Sequence, residues 1–556
     1  MKQLPVGIDD FRKVVNQYYY VDKTLFIKKL LDNHGEVTLI TRPRRFGKTI
    51  NMSMLDYFFS IEHKDNAPLF QNLAISQIDE GHYLKEQNKY PVIFMTLKGV
   101  QNDTWEMMLD SFKLLMSSEY RKHSYVLTGN FLASYEKDFY YRILNMSANA
   151  AEYQVSLEYL MMYLTRYYHT EPIVLIDEYD APLQYAYDHH FYDVAISYFR
   201  TFYNNSLKGN KYLKFAVLTG VLRIAKESIF SGLNNLEVDT VISDKYSDAF
   251  GFTLNEVKQI CREYGQANIL NSLKFWYDGY RFGHLEIYNP WSIINFFNRQ
   301  CIPRPYWVNT SSNSIIRYLL SKTDVLKLQA LLQLMEGKSI DVPINESVVY
   351  DDIERDKTAL FTMLLTTGYL TISSKREEMS VYDTVSVKIP NEEIRLLYKT
   401  EILNHVITNF TQYEFDHMFK ALLLGDKDSF ERFLQALIEG SVSSFDTANR
   451  ECFYHGLLLG ILAGFNGPKF KVLSNRESGD GRFDIAIVPT DTAFPGVILE
   501  LKYTDTATSL QKKAREALKQ IHDKGYAKYE GFDKVNAIWH YGIAFSGKHL
   551  HVEMDS

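Results

Sequence analysis

The stretch Thr41–Thr49, TRPRRFGKT, constrains this chain more than any other. A short apolar run, Glu36–Ile40, leads into it, and a helical pattern, Ile50–Phe59, follows. In that strand–loop–helix order, backbone N–H groups around Gly47 turn toward phosphate at a helix N-terminus. Lys48 is placed to reach the β- and γ-phosphates of a nucleotide, and the Thr49 hydroxyl to sit on Mg²⁺. Arg44 and Arg45 add two cations to the loop. The G-x-x-x-x-G-K-[ST] pattern is incomplete, because Arg42 holds the first glycine position and Pro43 follows it. The blander reading of the stretch is a basic turn before an ordinary helix.

A second element argues against that reading. Pro172–Asp180, PIVLIDEYD, reads as an apolar strand ending in carboxylates. Asp177 at the strand end is placed to hold Mg²⁺, directly or through water, and Glu178 to orient an attacking water. A further strand, Leu213–Leu218, ends in Thr219–Gly220, where a polar side chain can sense a γ-phosphate. Arg223 follows closely and can contact that phosphate in the same chain or a nucleotide on a neighbour. With Val92–Leu97 as another strand and amphipathic helical patterns from Trp105 to His169, strands and helices alternate. The expected fold is α/β, a P-loop NTPase parallel sheet with helices on both faces. The expected ligands are ATP and Mg²⁺.

Composition limits the partners. A net charge of −7 confines any nucleic-acid contact to a local basic patch. The three cysteines, Cys261, Cys301 and Cys452, are scattered, which fits neither a disulfide framework nor a zinc site and suits a reducing cytosol. The N-terminus lacks an apolar h-region and no run reaches membrane-span length, so the expected location is cytoplasmic with no membrane partner. Self-association is left open, since it depends on whether Arg223 acts within one chain.

The remaining elements follow in order. Pro5–Lys13 reads as a docking segment, and Tyr18–Leu31 as a helix starting near Asp22 or Thr24. Phe252–Val257 and Trp276–Ile294 read as a helical lid, with Trp276–Tyr280 as an aromatic turn. Ile315–Gly337 and Thr358–Leu370 are helical patterns, and Lys338–Glu354 and Thr371–Pro390 read as loops and a β-hairpin. This middle region is expected to be a helical or winged-helix-like connector.

Near the C-terminus a third chemical pattern appears. Glu451 lies in a helical run, followed by strands Phe470–Ser474, Arg482–Val488 and Val497–Tyr503, a helix Ala507–Lys524 and a last strand Ala537–Phe545. Glu500 and Lys502 are two apart on one strand and project to one face. Asp484, on the adjacent strand of a hairpin, can meet Glu500. Two carboxylates with a backbone carbonyl between them make a hard oxygen site for Mg²⁺ or Mn²⁺. Lys502 would then orient water or stabilise charge developing on a scissile phosphate, and Glu451 could complete the metal shell. The His189–His190 pair and His549–His551 read as surface residues. Lys512, Lys513 and Arg515 form a basic helix face that is either solvated or in contact with a phosphate backbone.

Several long motifs in order, YYYVDKTLFIKKLL, RPRRFGKT, LIDEYDAP, LTGVLRIAKESIFSGLNNL, FGFTLNEV and WYDGYRFG…YNPWSI, resemble the bacterial AAA-ATPase-like proteins. These pair an N-terminal P-loop domain with a C-terminal nuclease-like domain. ECFYHGLLLGIL, ESGDGRFDIAI, ILELKY, Gln520–Ile521 and Tyr526 are similar to the PD-(D/E)XK nuclease-like domain of the same family. The resemblance implies an αβββαβ restriction-endonuclease-like fold, with Asp484, Glu500 and Lys502 as the catalytic set and Glu451 and Gln520 in support. The expected divisions of the chain are 1–235, 236–425 and 426–556. The resulting expectation is an ATPase fused to a metal-dependent nuclease acting on DNA or RNA. The alternative is an NTP-dependent switch whose C-terminal domain binds nucleic acid or protein without cutting.

Overall fold

The computed structural model describes residues 2–223, 230, 234–307, 330, 333–335, 337–344, 357–373, 384–406, 412–441, 450–463, 465 and 469–556. The chain divides into two compact units, Met1–Thr310 with Asp341–Glu393, and Ser311–Ile340 with Ile394–Ser556.

In the first unit, β1 (Val37–Thr41), β2 (Val92–Thr96), β3 (Ile173–Asp177), β4 (Phe215–Gly220) and β5 (Leu236–Asp239) form a sheet ordered β2–β3–β4–β1–β5. Every pairing in it is parallel. β1 and β3 are buried along their whole length, as strands covered on both faces must be. Helix α1 (Lys48–Phe59) follows β1, and α2 (Ala181–Asp188) follows β3. The Trp105–His169 stretch resolves into three helices, Trp105–Lys122, Ser134–Leu144 and Ala150–Tyr168. After β1 the chain crosses to β2 and works back through β3 and β4. The C-terminal ends of β1, β3 and β4 therefore lie side by side where strand order reverses, the usual place for a ligand crevice.

Three expectations change here. The helix expected at Tyr18–Leu31 runs Leu25–Asn33 instead. Its start is set at Thr24, whose N–H and hydroxyl both donate to Asp22 Oδ1 (2.8 and 2.6 Å). The Pro5–Lys13 segment contains the start of a helix, Phe11–Gln17, capped where Asp10 accepts from the Lys13 N–H at 2.7 Å. The lid is not purely helical. Helices Leu254–Glu263, Leu270–Tyr277 and Pro290–Asn298 accompany a small antiparallel sheet of Phe252–Thr253, Tyr280–Phe282 and Leu285–Tyr288. The Trp276–Tyr280 turn is where helix gives way to strand.

Of the middle region, Lys357–Thr367 is a helix, and Thr371–Ile372 pairs antiparallel with Thr384–Lys388 in a three-stranded sheet whose third strand is Ile340–Pro343. Most of Ile315–Gly337 lies outside the described residues.

The second unit carries α3 (Arg450–Ala463), β6 (Phe470–Ser478), β7 (Gly481–Pro489), β8 (Gly496–Tyr503), α4 (Leu510–Lys524), β9 (Ile538–Ser546) and β10 (His549–Asp555). The sheet runs β6 to β10 in chain order. Only β8–β9 is parallel, with α4 as its crossover. The expected αβββαβ order stands, with β10 added at the edge. Leu458, Ile485, Leu499, Tyr541 and Val552 share one buried core. Among the described residues, no helix is long and apolar enough to cross a membrane.

Candidate functional site

The first candidate site forms where β1, β3 and β4 end. Gly47 (φ 88°) caps α1, and Lys48 opens the helix. The Thr49 hydroxyl donates to Asp177 Oδ2 at 2.7 Å, and the Thr219 hydroxyl donates to Asp177 Oδ1. One carboxylate at the end of β3 thus ties the first turn of α1 to the end of β4. Asp177 is 1% exposed. Burial, then the charge of Glu178, push its pKa up, and the two hydroxyls and Lys48 oppose the shift. The Lys48 ammonium donates to the carbonyls of Arg42 (3.0 Å) and Pro43 (3.1 Å), leaving one of its three protons for another acceptor.

Glu178 lines the adjoining cavity with a left-handed backbone (φ 54°). A non-glycine residue holds that conformation only when its surroundings enforce it. The cavity has a volume of about 400 Å³ and is lined by Arg44, Arg45, Gly47, Lys48 and Thr49 together with Pro5, Ile8, Tyr19, Tyr20, Val21 and Trp291. Arg44 donates to Gln184 Oε1 at 3.1 Å, and the Arg45 guanidinium stacks 4.2 Å over the Trp291 ring. Arg223 lies just past β4 and is half-buried, beside residues outside the described set.

Arg42 does not face this cavity. It is fully buried and paired with Asp239 at the end of β5, and it also donates to the carbonyls of Thr41 (2.9 Å) and Asp239 (3.3 Å). Its guanidinium lies over the Phe250 and Phe282 rings, so the residue at the missing-glycine position bolts the loop to the sheet.

The second candidate site forms where β7 and β8 part. Their pairing stops at Ile485↔Leu499, and the same register places Asp484 opposite Glu500. There the Asp484 carboxylate accepts the Leu501 N–H instead, at 2.8 Å. Glu500 is 2% exposed. Its Oε1 accepts from Lys502 (3.4 Å) and from the Gln520 amide, while Oε2 is buried with no hydrogen-bond partner. Burial and then the Asp484 charge push its pKa up to about 8.

Gln520 reaches Glu500 because α4 runs close to β9. Gly542, the register partner of Glu500, would carry a Cβ 2.2 Å from the Ala514 carbonyl, so no larger residue fits there. Two buried or half-buried carboxylates, one with an orphaned oxygen, fit a hard divalent cation. Thr49 and Asp177 likewise present adjacent oxygen donors. The Glu451 side chain lies outside the described residues.

Residue spacing did not reveal several neighbours. His455 Nε2 sits 3.1 Å from both the Asp484 carbonyl and Ser474 Oγ. The Tyr526 hydroxyl accepts from Gln520 at 3.2 Å. Asp180 and Tyr179 grip the segment beyond β4. His551 lies between Glu431 (3.0 Å) and Glu553 (3.3 Å). His522 Nε2 (2.9 Å) and His540 Nδ1 (3.0 Å) share Asp555, and His540 Nε2 is buried with no hydrogen-bond partner. On the basic face of α4, Lys513 pairs with Glu516 and Arg515 with Glu553, and Lys512 is exposed.

The folds and clustered groups define a chain with two α/β modules. One is built around a glycine–lysine loop facing a strand-end acid, the other around a carboxylate–lysine strand. Residues 5–230 match the AAA-ATPase-like family, described as predicted AAA-ATPase, and residues 449–554 match the PD-(D/E)XK nuclease superfamily. The chain therefore carries an AAA-ATPase-like domain and a PD-(D/E)XK nuclease superfamily domain. It is also 24% identical over 555 residues to a protein of Azotobacter chroococcum mcd 1 described as "Uncharacterized protein in vnfD 5'region". That match covers 98% of this chain and 96% of the relative.

Proposed function

We propose that the chain hydrolyses a nucleoside triphosphate in its first unit and cleaves a nucleic-acid phosphodiester in its second. We take 1–235, 236–425 and 426–556 as its working divisions. One observation carries the reading: the Asp177 carboxylate holds the Thr49 and Thr219 hydroxyls, and Thr49 lines the cavity together with Lys48 and Glu178. ATP would lay its phosphates along the Gly47–Thr49 amides, with Lys48, Arg44 and Arg45 against their charge. Glu178 accepts a proton from the attacking water, and Thr219 and Arg223 contact the γ-phosphate. A Mg²⁺ held by Thr49 and Asp177 would supply charge neutralisation there.

In the second unit, Asp484 and Glu500, with Glu451 in support, would hold Mg²⁺ or Mn²⁺, which activates water when bound. Lys502 orients that water, and Gln520 fixes the Glu500 carboxylate. DNA or RNA is the proposed substrate.

The test is to incubate the full chain with single- and double-stranded DNA and RNA, with Mg²⁺ or Mn²⁺, with and without ATP. Wild type is run beside Lys48→Ala and the double variant Glu500→Ala/Lys502→Ala. We expect cleavage to vanish in the double variant and nucleotide turnover to vanish in Lys48→Ala. Nucleotide turnover without cleavage by wild type under any condition would favour the non-cutting switch.

A further inference from the structure

Asp180 stands at the N-cap position of α2, where an aspartate ordinarily accepts from its own helix. Here it makes no such bond. Its Oδ2 instead accepts the N–H groups of Val221 (2.9 Å) and Leu222 (2.8 Å), just past the end of β4. Asp180 is 2% exposed, and its Oδ1 has no hydrogen-bond partner. A buried carboxylate with an orphaned oxygen is a costly way to satisfy two amides. It persists where those amides must be held in one place.

Tyr179 grips the same segment. Its N–H donates to the Thr219 carbonyl (3.0 Å), and its hydroxyl donates to the Leu222 carbonyl (2.6 Å). Gly220 lies beneath both residues. A Cβ there would come within 2.6 Å of Asp180 Oδ1 and of the Tyr179 ring. Residues 219–222 are thus held at every turn by the residues following Asp177. The strained backbone of Glu178 lies between Asp177 and this pair, over-determined from both sides.

We infer that Asp180, with Tyr179, is a positioning residue that locks the Thr219–Leu222 segment to the turn carrying Glu178. Thr219 and the approach to Arg223 are thereby set in register with the acid. Its catalytic consequence rests on the nucleotide hydrolysis proposed above. Burial, then the Glu178 charge, raise the Asp180 pKa to about 6, and the Leu222 and Val221 amides oppose the shift.

The experiment pairs amide hydrogen exchange over 219–223 with ATP turnover and nucleotide affinity, in the full chain, for wild type, Asp180→Ala, Asp180→Asn and Tyr179→Phe. Asp180→Ala should speed exchange of the Val221 and Leu222 amides about tenfold, the factor set by one ordinary hydrogen bond. Turnover should fall about 10²-fold, with affinity changed less than about threefold. Asp180→Asn keeps the accepting oxygen and should retain both protection and most of the turnover. Tyr179→Phe removes one hydroxyl and should give a smaller loss in the same direction. It keeps the inference testable if Asp180→Ala does not fold. Unchanged protection in Asp180→Ala and Tyr179→Phe overturns the inference, and so does lost protection with wild-type turnover. If wild type turns over no nucleotide, the hydrolysis reading falls on its own, and exchange alone decides the lock.

Discussion

Asp177 ends β3 and Glu500 lies within β8; they are 1% and 2% exposed, but their surroundings differ. Both Asp177 oxygens accept hydroxyl donors from neighbouring elements. Glu500 has one oxygen satisfied by Gln520 and Lys502 and the other buried without a partner, facing the charge of Asp484. The first acid is a completed joint between loop and strands. The second belongs to a repelling pair that a proton or a cation relieves. Removing the first should therefore undo the site's architecture, whereas neutralising the second should relieve strain even as it removes chemistry.

The largest effects should test the joint. Asp177→Ala should lower nucleotide turnover by about 10²–10³-fold in steady-state assays. A near-wild-type rate would show that Thr49 and Thr219 are placed without it. Arg42→Ala should leave Asp239 charged and buried, lowering the unfolding free energy of the first unit by about 3–5 kcal/mol in denaturant titration. A much smaller loss would mean that the Arg42 position tolerates replacement as an ordinary loop residue would.

At the second site, Gln520→Ala should reduce metal-dependent cleavage by about 10–100-fold, as loss of a supporting partner does. The companion readout is the pH dependence of cleavage, which should shift because Glu500 loses its amide donor.

The smallest effect sharpens the contrast most. The Glu500 carboxyl rises from an ordinary 4.5 to about 8 in the folded chain, chiefly through burial. Folding therefore favours its protonated form. That stabilisation is complete below pH 4.5 and is lost as pH rises through about 8. In metal-free protein, Glu500→Gln should melt about 2–4 °C above wild type near pH 9, with the gap closing toward pH 5. Equal melting at both pH values would show that the pair is not strained.

The sites differ in how far they could be read in advance. The first was legible as motifs because chain connectivity fixes much of it: a loop between β1 and α1, and acids at the end of β3. Thr219 was legible because it ends an apolar run. What sequence could not supply was β5, four residues of mixed polarity with no distinctive period. Without β5, the burial of Arg42 against Asp239 had no partner to suggest it. Pro5–Lys13 was legible as a docking segment, but not that it and Tyr19–Val21 share a cavity with the Arg44–Thr49 stretch, since no local pattern names a distant partner. In the second unit, β10 had left a signal in the alternating Leu550, Val552 and Met554 after the Gly547 turn. His455 and Tyr526 stood among the residues that carry the resemblance, but nothing local marked their contacts with Asp484 and Gln520.

By itself the sequence determined the fold class, the order of strands and helices in both end domains apart from β5 and β10, and which acids, hydroxyls and lysines stand on or near the strands. Hydrophobic period and glycine placement act over a few residues, so they are written locally. Tertiary structure alone decided that Asp177 joins Thr49 to Thr219, that Asp180 serves a neighbouring segment instead of its own helix, and that Glu500 keeps an unpaired oxygen. Each depends on which strand lies beside which, and on how closely a helix can approach a glycine such as Gly542. Those distances are set by packing across the sheet and not by spacing along the chain.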